Sequence, residues 1–504
     1  MDHYIKKILT ARVYDVSSET PLESAPGLSV KTGNNVLLKR EDIQPVFSFK
    51  CRGAYNRIFK LQQQHPDTEG VVCASAGNHA QGVALSASRL GIRSVIVMPK
   101  TTPTIKVDAV KAHGGEAVLF GDNYDEAYAH ACELEKTTGF TFIHPFNDPD
   151  TIAGQGTIGV EICRQLPGSI DVVFVPIGGG GLASGVALLM KYLRPDVKII
   201  GVEPEDAASM QASIAAGKPV ELDEVGIFAD GVAVKSPGDE TFRICNQMLD
   251  GIVTISVDEM CASIRDVFND TRTVMEPAGA LSVAGLKKYA SENSLTDKNL
   301  IAVTTGANVN FDRLRHIAER AEIGEQREAL LVVTIPEVPG SFRNFCEMLG
   351  KRSVTEFNYR YSDNRSANVF VGVQLSEGIK ERQKIIDDLR NSSFAVEDLT
   401  DNEMAKLHIR HMVGGSSAAI TDELLYRFEF PERPGALSTF LNNMELGWNI
   451  TLFHYRNHGS AYARVLVGMQ IPAQESARFQ EFLDKLGYRY WCEDDNVAYR
   501  MFLG

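Results

Sequence analysis

The chain has 504 residues, 44% of them hydrophobic and 23% charged, with a formal net charge of −14 and a pI near 5.4. That length allows roughly two to four domains, and the acidic balance argues against nucleic acid or an anionic membrane surface as a partner. Eight cysteines without any C-x-x-C spacing exclude a disulfide framework and point to a reducing cytoplasm.

The N-terminal stretch MDHYIKKILTARVYDV holds no apolar run of signal-peptide length. The first informative segment is SFKCRG, residues 48–53. Lys50 stands where a helix is expected to begin, ahead of AYNRIFKLQQQ. The positive end of a helix dipole disfavours an ammonium group there. Either Lys50 reaches solvent, or it is held with a lowered pKa as a neutral amine.

From about residue 70 to 310, short apolar runs alternate with helical stretches. GVVCAS, SVIVMP, EAVLFG, DVVFVPIG, VKIIGVEP and NLIAVTTG read as strands, separated by lengths that suit crossover helices. The expected class is α/β with mostly parallel sheets, and ligands gather at the C-terminal ends of such strands. The uncharged run Val172–Met190 contains Pro176 and five glycines, so it reads as strand, loop and helix rather than a membrane span.

Three strand-end loops carry further chemistry. SAGNHAQG, residues 75–82, can bring backbone N–H groups at a helix start towards a carboxylate, with the Asn78 amide beside them; Asn78 could equally be a simple cap. In PIGGGGLASG, residues 176–185, four consecutive glycines remove every Cβ that would keep backbone N–H groups from converging on phosphate. Gly178, Gly180 and Ala183 also satisfy G-x-G-x-x-A, with Glu203 twenty residues beyond Ala183, which imitates a dinucleotide fingerprint. That reading leaves SFKCRG and SAGNHAQG unexplained. In VTTGANVN, residues 303–310, the Thr305 hydroxyl could bond a ring nitrogen or its own backbone.

After about residue 320 a charged helical connector leads into an internal repeat. LLVVTIPEVPGSFRNFCEML matches LYRFEFPERPGALSTFLNNM, VTEFNYR matches ITLFHYR, and VFVGVQL matches VLVGMQI. Pro339 pairs with Pro434 and Phe357 with Phe453, so the offset grows by one residue between them. Each unit reads strand, P-x-x-P-G turn, helix, strand, strand: two copies of a small α+β module rather than a solenoid. The expected domains are 1–322, a connector at 323–329, and modules at 330–403 and 424–504.

Together KREDIQPVFSFKCRGAYN, SAGNHAQG, VMPKTTPTIKVDAV, AGQGT, VPIGGGGLASG, EPAGAL and GANVNF resemble the fold type II (tryptophan synthase β-like) pyridoxal phosphate enzymes. Within them the match is to the biosynthetic threonine deaminases (threonine dehydratases), whose regulatory domain contains two ACT-like modules. The resemblance covers almost the whole chain. It implies that Lys50 is the Schiff-base lysine and catalytic base. Gly178, Gly179, Gly180, Gly181 and Leu182 then hold the phosphate of pyridoxal 5'-phosphate, Asn78 meets its phenolic oxygen and Thr305 its ring nitrogen. Ser75, Ala76, Gly77 and His79 are implied as the substrate-carboxylate site.

The implied reaction is deamination of L-threonine to 2-oxobutanoate and ammonia, the first step towards isoleucine. Isoleucine is implied as inhibitor and valine as activator, in a cytoplasmic homotetramer. Phe357, Tyr359, Phe453 and Tyr455 are candidates for lining effector pockets, or for packing the module cores. No metal is expected: Glu203 stands at the cation site of related racemases, but Ser209 replaces a carboxylate, and Glu203 reads as a strand-end surface or supporting residue. Ala76 replaces the racemases' second acid/base serine, so no racemase activity is expected. The alternatives are a serine dehydratase or related enzyme with a sensing tail, and a non-enzymatic amino-acid sensor.

Overall fold

The computed structural model describes residues 1–336, 345, 348–349, 352, 354–361, 366–411, 423–431, 439–440, 443–444, 448–456 and 462–502, with the backbone alone at 354, 356–361, 367 and 449–456. The chain divides into two compact units, Met1–Phe311 and Asp312–Gly504.

The first unit contains β1 (Leu22–Ser24), β2 (Asn35–Arg40), β3 (Gly70–Ala74), β4 (Arg93–Met98), β5 (Glu116–Leu119), β6 (Thr141–Phe142), β7 (Val172–Pro176), β8 (Lys198–Pro204), β9 (Gly251–Ile255) and β10 (Asn299–Thr304). They form two sheets, one ordered β1-β2-β10-β7-β8-β9 and the other β5-β4-β3-β6. Every pairing is parallel except β1 with β2. The mostly parallel α/β reading therefore holds. β3 and β7 are buried at every position. Helices cover both faces of such sheets, which is why these strands read as unbroken apolar runs and not as alternation. Val172–Met190 is strand β7, a glycine loop and the helix Gly181–Leu193. No helix among the described residues is long and apolar enough to cross a membrane.

A buried ionic cluster ties the Lys50 helix to β2 and to the helix Pro149–Gln165. Lys39 Nζ meets Glu161 at 2.6 Å, and Arg52 meets Glu41 at 2.8 Å and Glu161 at 2.5 Å, with all four side chains at 0% exposure. Two positive and two negative groups balance, the condition under which such charges can leave water. None of the seven described cysteines is in a disulfide, and Cys346 lies outside the described residues.

The second unit repeats one sheet twice. β11 (Glu328–Pro336), β12 (Val354–Tyr361), β13 (Ser366–Gln374) and β14 (Ala395–Asp398) are ordered β12-β13-β11-β14. β15 (Glu423–Pro431), β16 (Asn449–Arg456), β17 (Tyr462–Gln470) and β18 (Arg489–Cys492) are ordered β16-β17-β15-β18. All these pairings are antiparallel. Phe357 faces Val371 in the register and Phe453 faces Val467. Leu331 faces Val371, and Tyr426 faces Val467. The one-residue length change thus lies between the first and second strands of each module. A further helix and strand complete each module beyond the three strands read from the sequence: Ile379–Asn391 with β14, and Ser476–Leu486 with β18. The P-x-x-P-G turns lie outside the described residues beyond Pro336 and Pro431, as do the side chains of Phe357, Tyr359, Phe453 and Tyr455. The expected connector, 323–329, consists of the end of the helix Leu314–Gly324, a turn and the start of β11.

Candidate active site

The informative loops converge at the C-terminal ends of β3, β7 and β10, as ligand sites in open parallel sheets do. Lys50 opens the helix Lys50–Gln64, which has no side-chain cap. The segment before it is pinned to the β10 loop: Phe49 N donates to Thr305 O at 3.3 Å, and Ser48 bridges Gly306. Phe47 adopts a left-handed φ of 52°, costly for a residue with a Cβ, and its carbonyl accepts Ala307 N at 3.0 Å. Gly82 lies under Lys50, where an added Cβ would sit 3.1 Å from the Lys50 carbonyl.

Lys50 keeps partial exposure, and its Nζ donates to Pro145 O at 3.4 Å. Burial lowers its pKa to about 8 against the opposing charge of Glu276.

Gly77 caps the helix Asn78–Leu90, and its N–H donates to Ser75 Oγ at 3.2 Å. Ser75 N is already spent on Val97 O at 3.1 Å. The His79 ring is buried and bonds the Ile143 carbonyl at 2.9 Å. Burial and the nearby Lys50 charge depress its pKa to about 3, so it is neutral. From this position only the backbone of residue 79 can serve a ligand at the helix start. Ala76 packs against the core of the smaller sheet and offers no titratable group.

The glycine run turns from β7 into the helix Gly181–Leu193, with Gly180 at φ 92°. A Cβ on Gly178 would sit 3.0 Å from Val232 Cα, and one on Gly181 3.0 Å from Phe146 Cα. The loop is a closely packed cradle, not a linker. Leu182 sits at 5% exposure in the core under β7, so its backbone alone faces the loop. Thr305 is buried and donates through Oγ1 to Ala278 O at 3.0 Å.

Three contributors were not read from the sequence. Glu276 Oε1 accepts Asn78 Nδ2 at 2.6 Å, and Asn308 Nδ2 donates to Asn78 Oδ1 at 2.7 Å. The segment Ile143–Asn147 joins Lys50 to the glycine cradle, and His144 Nδ1 accepts Asn147 N at 2.8 Å; burial holds this histidine at a pKa of about 4. The available signals were EPAGAL, where a carboxylate precedes a helix-starting proline, and the first asparagine of the segment at 303–310.

Glu203 corrects an expectation. It is not a surface residue but fully buried, with its oxygens accepting Met210 N and Gln211 N at 2.8 Å each. Burial raises its pKa to about 7 despite those bonds. It closes the start of the helix Ser209–Ala216, so its carboxylate is unavailable to a ribose and the dinucleotide reading fails. Among the described residues no group of three or more metal-ligating side chains is assembled.

The profile of the pyridoxal-phosphate dependent enzyme family matches residues 13–306. That of the C-terminal regulatory domain of threonine dehydratase matches 319–409 and 414–503. The chain is 57% identical over 503 residues to "L-threonine dehydratase biosynthetic IlvA" of Burkholderia multivorans, covering 99% of each. It belongs to the biosynthetic threonine dehydratase family. The Escherichia coli K12 protein of the same description is 52% identical, over 99% of this chain and 97% of that one. Among solved structures, the processed form of threonine deaminase isoform 2 from Solanum lycopersicum aligns with a TM-score of 0.63 and 48% identity, over 64% of this chain and 88% of that one. The family is pyridoxal phosphate dependent, and this site fits that group. The glycine cradle at a helix start suits a phosphate, and the desolvated Lys50 amine suits an aldehyde.

Proposed function

We propose that the chain deaminates L-threonine to 2-oxobutanoate and ammonia by α,β-elimination of water, as a threonine ammonia-lyase supplying isoleucine synthesis. The observation that carries this reading is the Lys50 amine, desolvated to a pKa of about 8 and set among the Ser75–His79, Gly178–Gly181 and Thr305 loops.

When bound, pyridoxal phosphate supplies an electron sink for the substrate Cα. The chain's own residues do the rest. Backbone N–H groups of Gly178, Gly179, Gly180, Gly181 and Leu182 hold the phosphate. Asn78 donates to the phenolic oxygen. Thr305 would turn its hydroxyl from the Ala278 carbonyl to donate to the ring nitrogen, where an aspartate would have kept that nitrogen protonated. The Ser75 hydroxyl and the backbone of Ala76, Gly77 and His79 bind the threonine carboxylate. Lys50 Nζ, neutral at mildly alkaline pH, then removes the α-proton as general base, the Cβ–O bond breaks and the β-hydroxyl leaves with a proton as water; the released 2-aminocrotonate takes up water to give 2-oxobutanoate and ammonia. Ala76 carries no proton for the opposite face, which supports elimination over racemisation.

The two modules bind the effectors, isoleucine as inhibitor and valine as its antagonist, in a cytoplasmic homotetramer. Phe357, Tyr359, Phe453 and Tyr455, whose side chains lie outside the described residues, stand as candidates either for the effector pockets or for packing the module cores. The domain plan is a catalytic part to residue 322, a connector at 323–329, and modules at 330–403 and 424–504. Coupling requires only that isoleucine bind the low-affinity state more tightly than the active one. Steady-state assays with L-threonine and L-serine, each with and without isoleucine, test the reading. The expectation is preference for threonine and a sigmoidal threonine curve with isoleucine. Serine preferred over threonine would favour the serine dehydratase alternative, and no turnover of either would favour a sensor.

A further inference from the structure

Glu276 stands at the N-cap position of the helix Pro277–Glu292 but does not cap it. The residue is 4% exposed, and its Oε1 accepts Asn78 Nδ2 at 2.6 Å. The other end of the same amide is held as well. Asn308 Nδ2 donates both to Asn78 Oδ1 at 2.7 Å and to Val46 O at 2.8 Å. A primary amide carries two N–H donors and one carbonyl acceptor. Here the carbonyl and one N–H are committed, and the network fixes which end is which. Backbone closes round the carboxylate: a Cβ on Gly306 would collide with Glu276 Oε1, and one on Gly231 would sit 3.6 Å from it. The carboxylate is therefore housed where a larger neighbour would displace it, and its job is not that of a cap.

We propose that Glu276 is a positioning residue that fixes the Asn78 amide, leaving the second Nδ2–H as the donor to the cofactor's phenolic oxygen. The inference rests on the role given to Asn78 above. Glu276 makes no step of its own; it acts through Asn78. A carboxamide at 276 keeps an acceptor oxygen at the same reach, whereas alanine removes it and leaves Asn308 alone to hold the Asn78 amide. The carboxylate charge has a second, separable effect, since it favours the protonated form of Lys50.

The test is a double-mutant cycle on the full-length chain, reading cofactor dissociation by equilibrium dialysis and the position of the visible absorption band. Circular dichroism checks that each variant folds. Asn78→Ala is expected to weaken cofactor binding about tenfold, the loss of one hydrogen bond of about 1.4 kcal/mol. Glu276→Ala should weaken it about three- to tenfold, and the double variant should be no weaker than Asn78→Ala alone. Glu276→Gln should restore binding to within about threefold while moving the ascending limb of the pH–rate profile to lower pH by about half a unit or more. Additive losses, or a Glu276→Ala variant that binds cofactor as the parent does while Asn78→Ala does not, would overturn the proposal. If Asn78→Ala itself leaves binding and spectrum unchanged, the reading of Asn78 fails and the proposal falls with it. If Glu276→Ala does not fold, Glu276→Gln alone decides: unrestored binding contradicts the positioning role.

Discussion

The two units bury charge in different ways. In the catalytic unit, four fully buried groups, Lys39, Glu41, Arg52 and Glu161, pair with one another at the start of the helix that begins at Lys50. The regulatory unit also buries one ion pair, Arg410 with Glu328 at 3.1 Å, and places other polar pairs on sheet positions that repeat. Glu429 faces Arg464 in the second module, and the equivalent register position of the first holds Thr334 facing Asn368, hydrogen-bonded at 2.8 Å. One fold thus carries an ion pair in one copy and a neutral pair in the other. The difference teaches that the repeated backbone accepts either polar pair at this position, whereas each member of the fully buried cluster around Arg52 has a partner whose charge would be left uncompensated by its removal.

The sharpest break would come at Lys50 itself. Lys50→Ala should lower turnover by about 10³-fold or more and remove the visible cofactor band, with the far-ultraviolet circular dichroism unchanged. In the parent enzyme the rate should rise with pH and level off above about 8, as the amine loses its proton. Next in size is the contrast in buried charge. Arg52→Met leaves Glu41 and Glu161 with only Lys39 between them, and should cost about 3–5 kcal/mol in denaturant unfolding. Arg464→Met should cost only about 1–2 kcal/mol, because its side chain is 23% exposed and Arg489 still lies 3.6 Å from Glu429.

Acid should separate the units further. His79 and His144 have folded pKa values of about 3 and about 4, below the ordinary 6.5, chiefly through burial. Their stabilisation is complete above pH 6.5 and is lost as pH falls, because the unfolded chain takes up protons that the folded unit refuses. Glu203, raised to about 7 by burial, acts oppositely: its folded form binds the proton first and gains stability on acidification down to about pH 4.5. The net is one proton, or about 1.4 kcal/mol per pH unit between 6.5 and 4.5. In the regulatory unit Glu381, held at about 2 by the Arg352 hydrogen bond and backbone N–H groups, loses stabilisation only below pH 4.5. Both tryptophans, Trp448 and Trp491, belong to the second unit. Tryptophan emission should therefore report a midpoint nearly constant from pH 6.5 to 5, while a separate circular dichroism transition moves down. Parallel shifts of both signals would erase the distinction.

The smallest effect on turnover is expected from separating the units. Truncation after Phe311 should keep threonine turnover within about two- to threefold and abolish the response to isoleucine. A cut near residue 325 is less clean. The helix Leu314–Gly324 belongs to the second unit, where Ile323 packs with Leu330, Val332 and Leu399. Isoleucine inhibition of the shorter chain would refute the assignment of the effector sites.

What was legible follows from what the chemistry restricts. Four glycines between an apolar strand and a helix have few other uses, and a lysine at a helix start contradicts the local field, so both loops stood out. The parallel sheets were legible because strands buried on both faces read as continuous apolar runs. The module repeat was legible from the strand sequences, while the extra helix and strand of each module were not, since their sequences differ between the copies. Glu276 and Glu203 were misjudged or missed for a shared reason: a carboxylate beside a helix start resembles an exposed cap. Only tertiary structure shows that Glu203 caps a helix from full burial and that Glu276 turns away from its own helix to hold Asn78.

The central claim is that one amine, Lys50, carries both the cofactor and the base catalysis. Borohydride reduction of the cofactor-loaded, full-length protein, followed by mass mapping of its peptides, tests this most directly. The account predicts a pyridoxyl group on the peptide containing Lys50 and on no other. The label on a different lysine, such as Lys39 or Lys106, would contradict it.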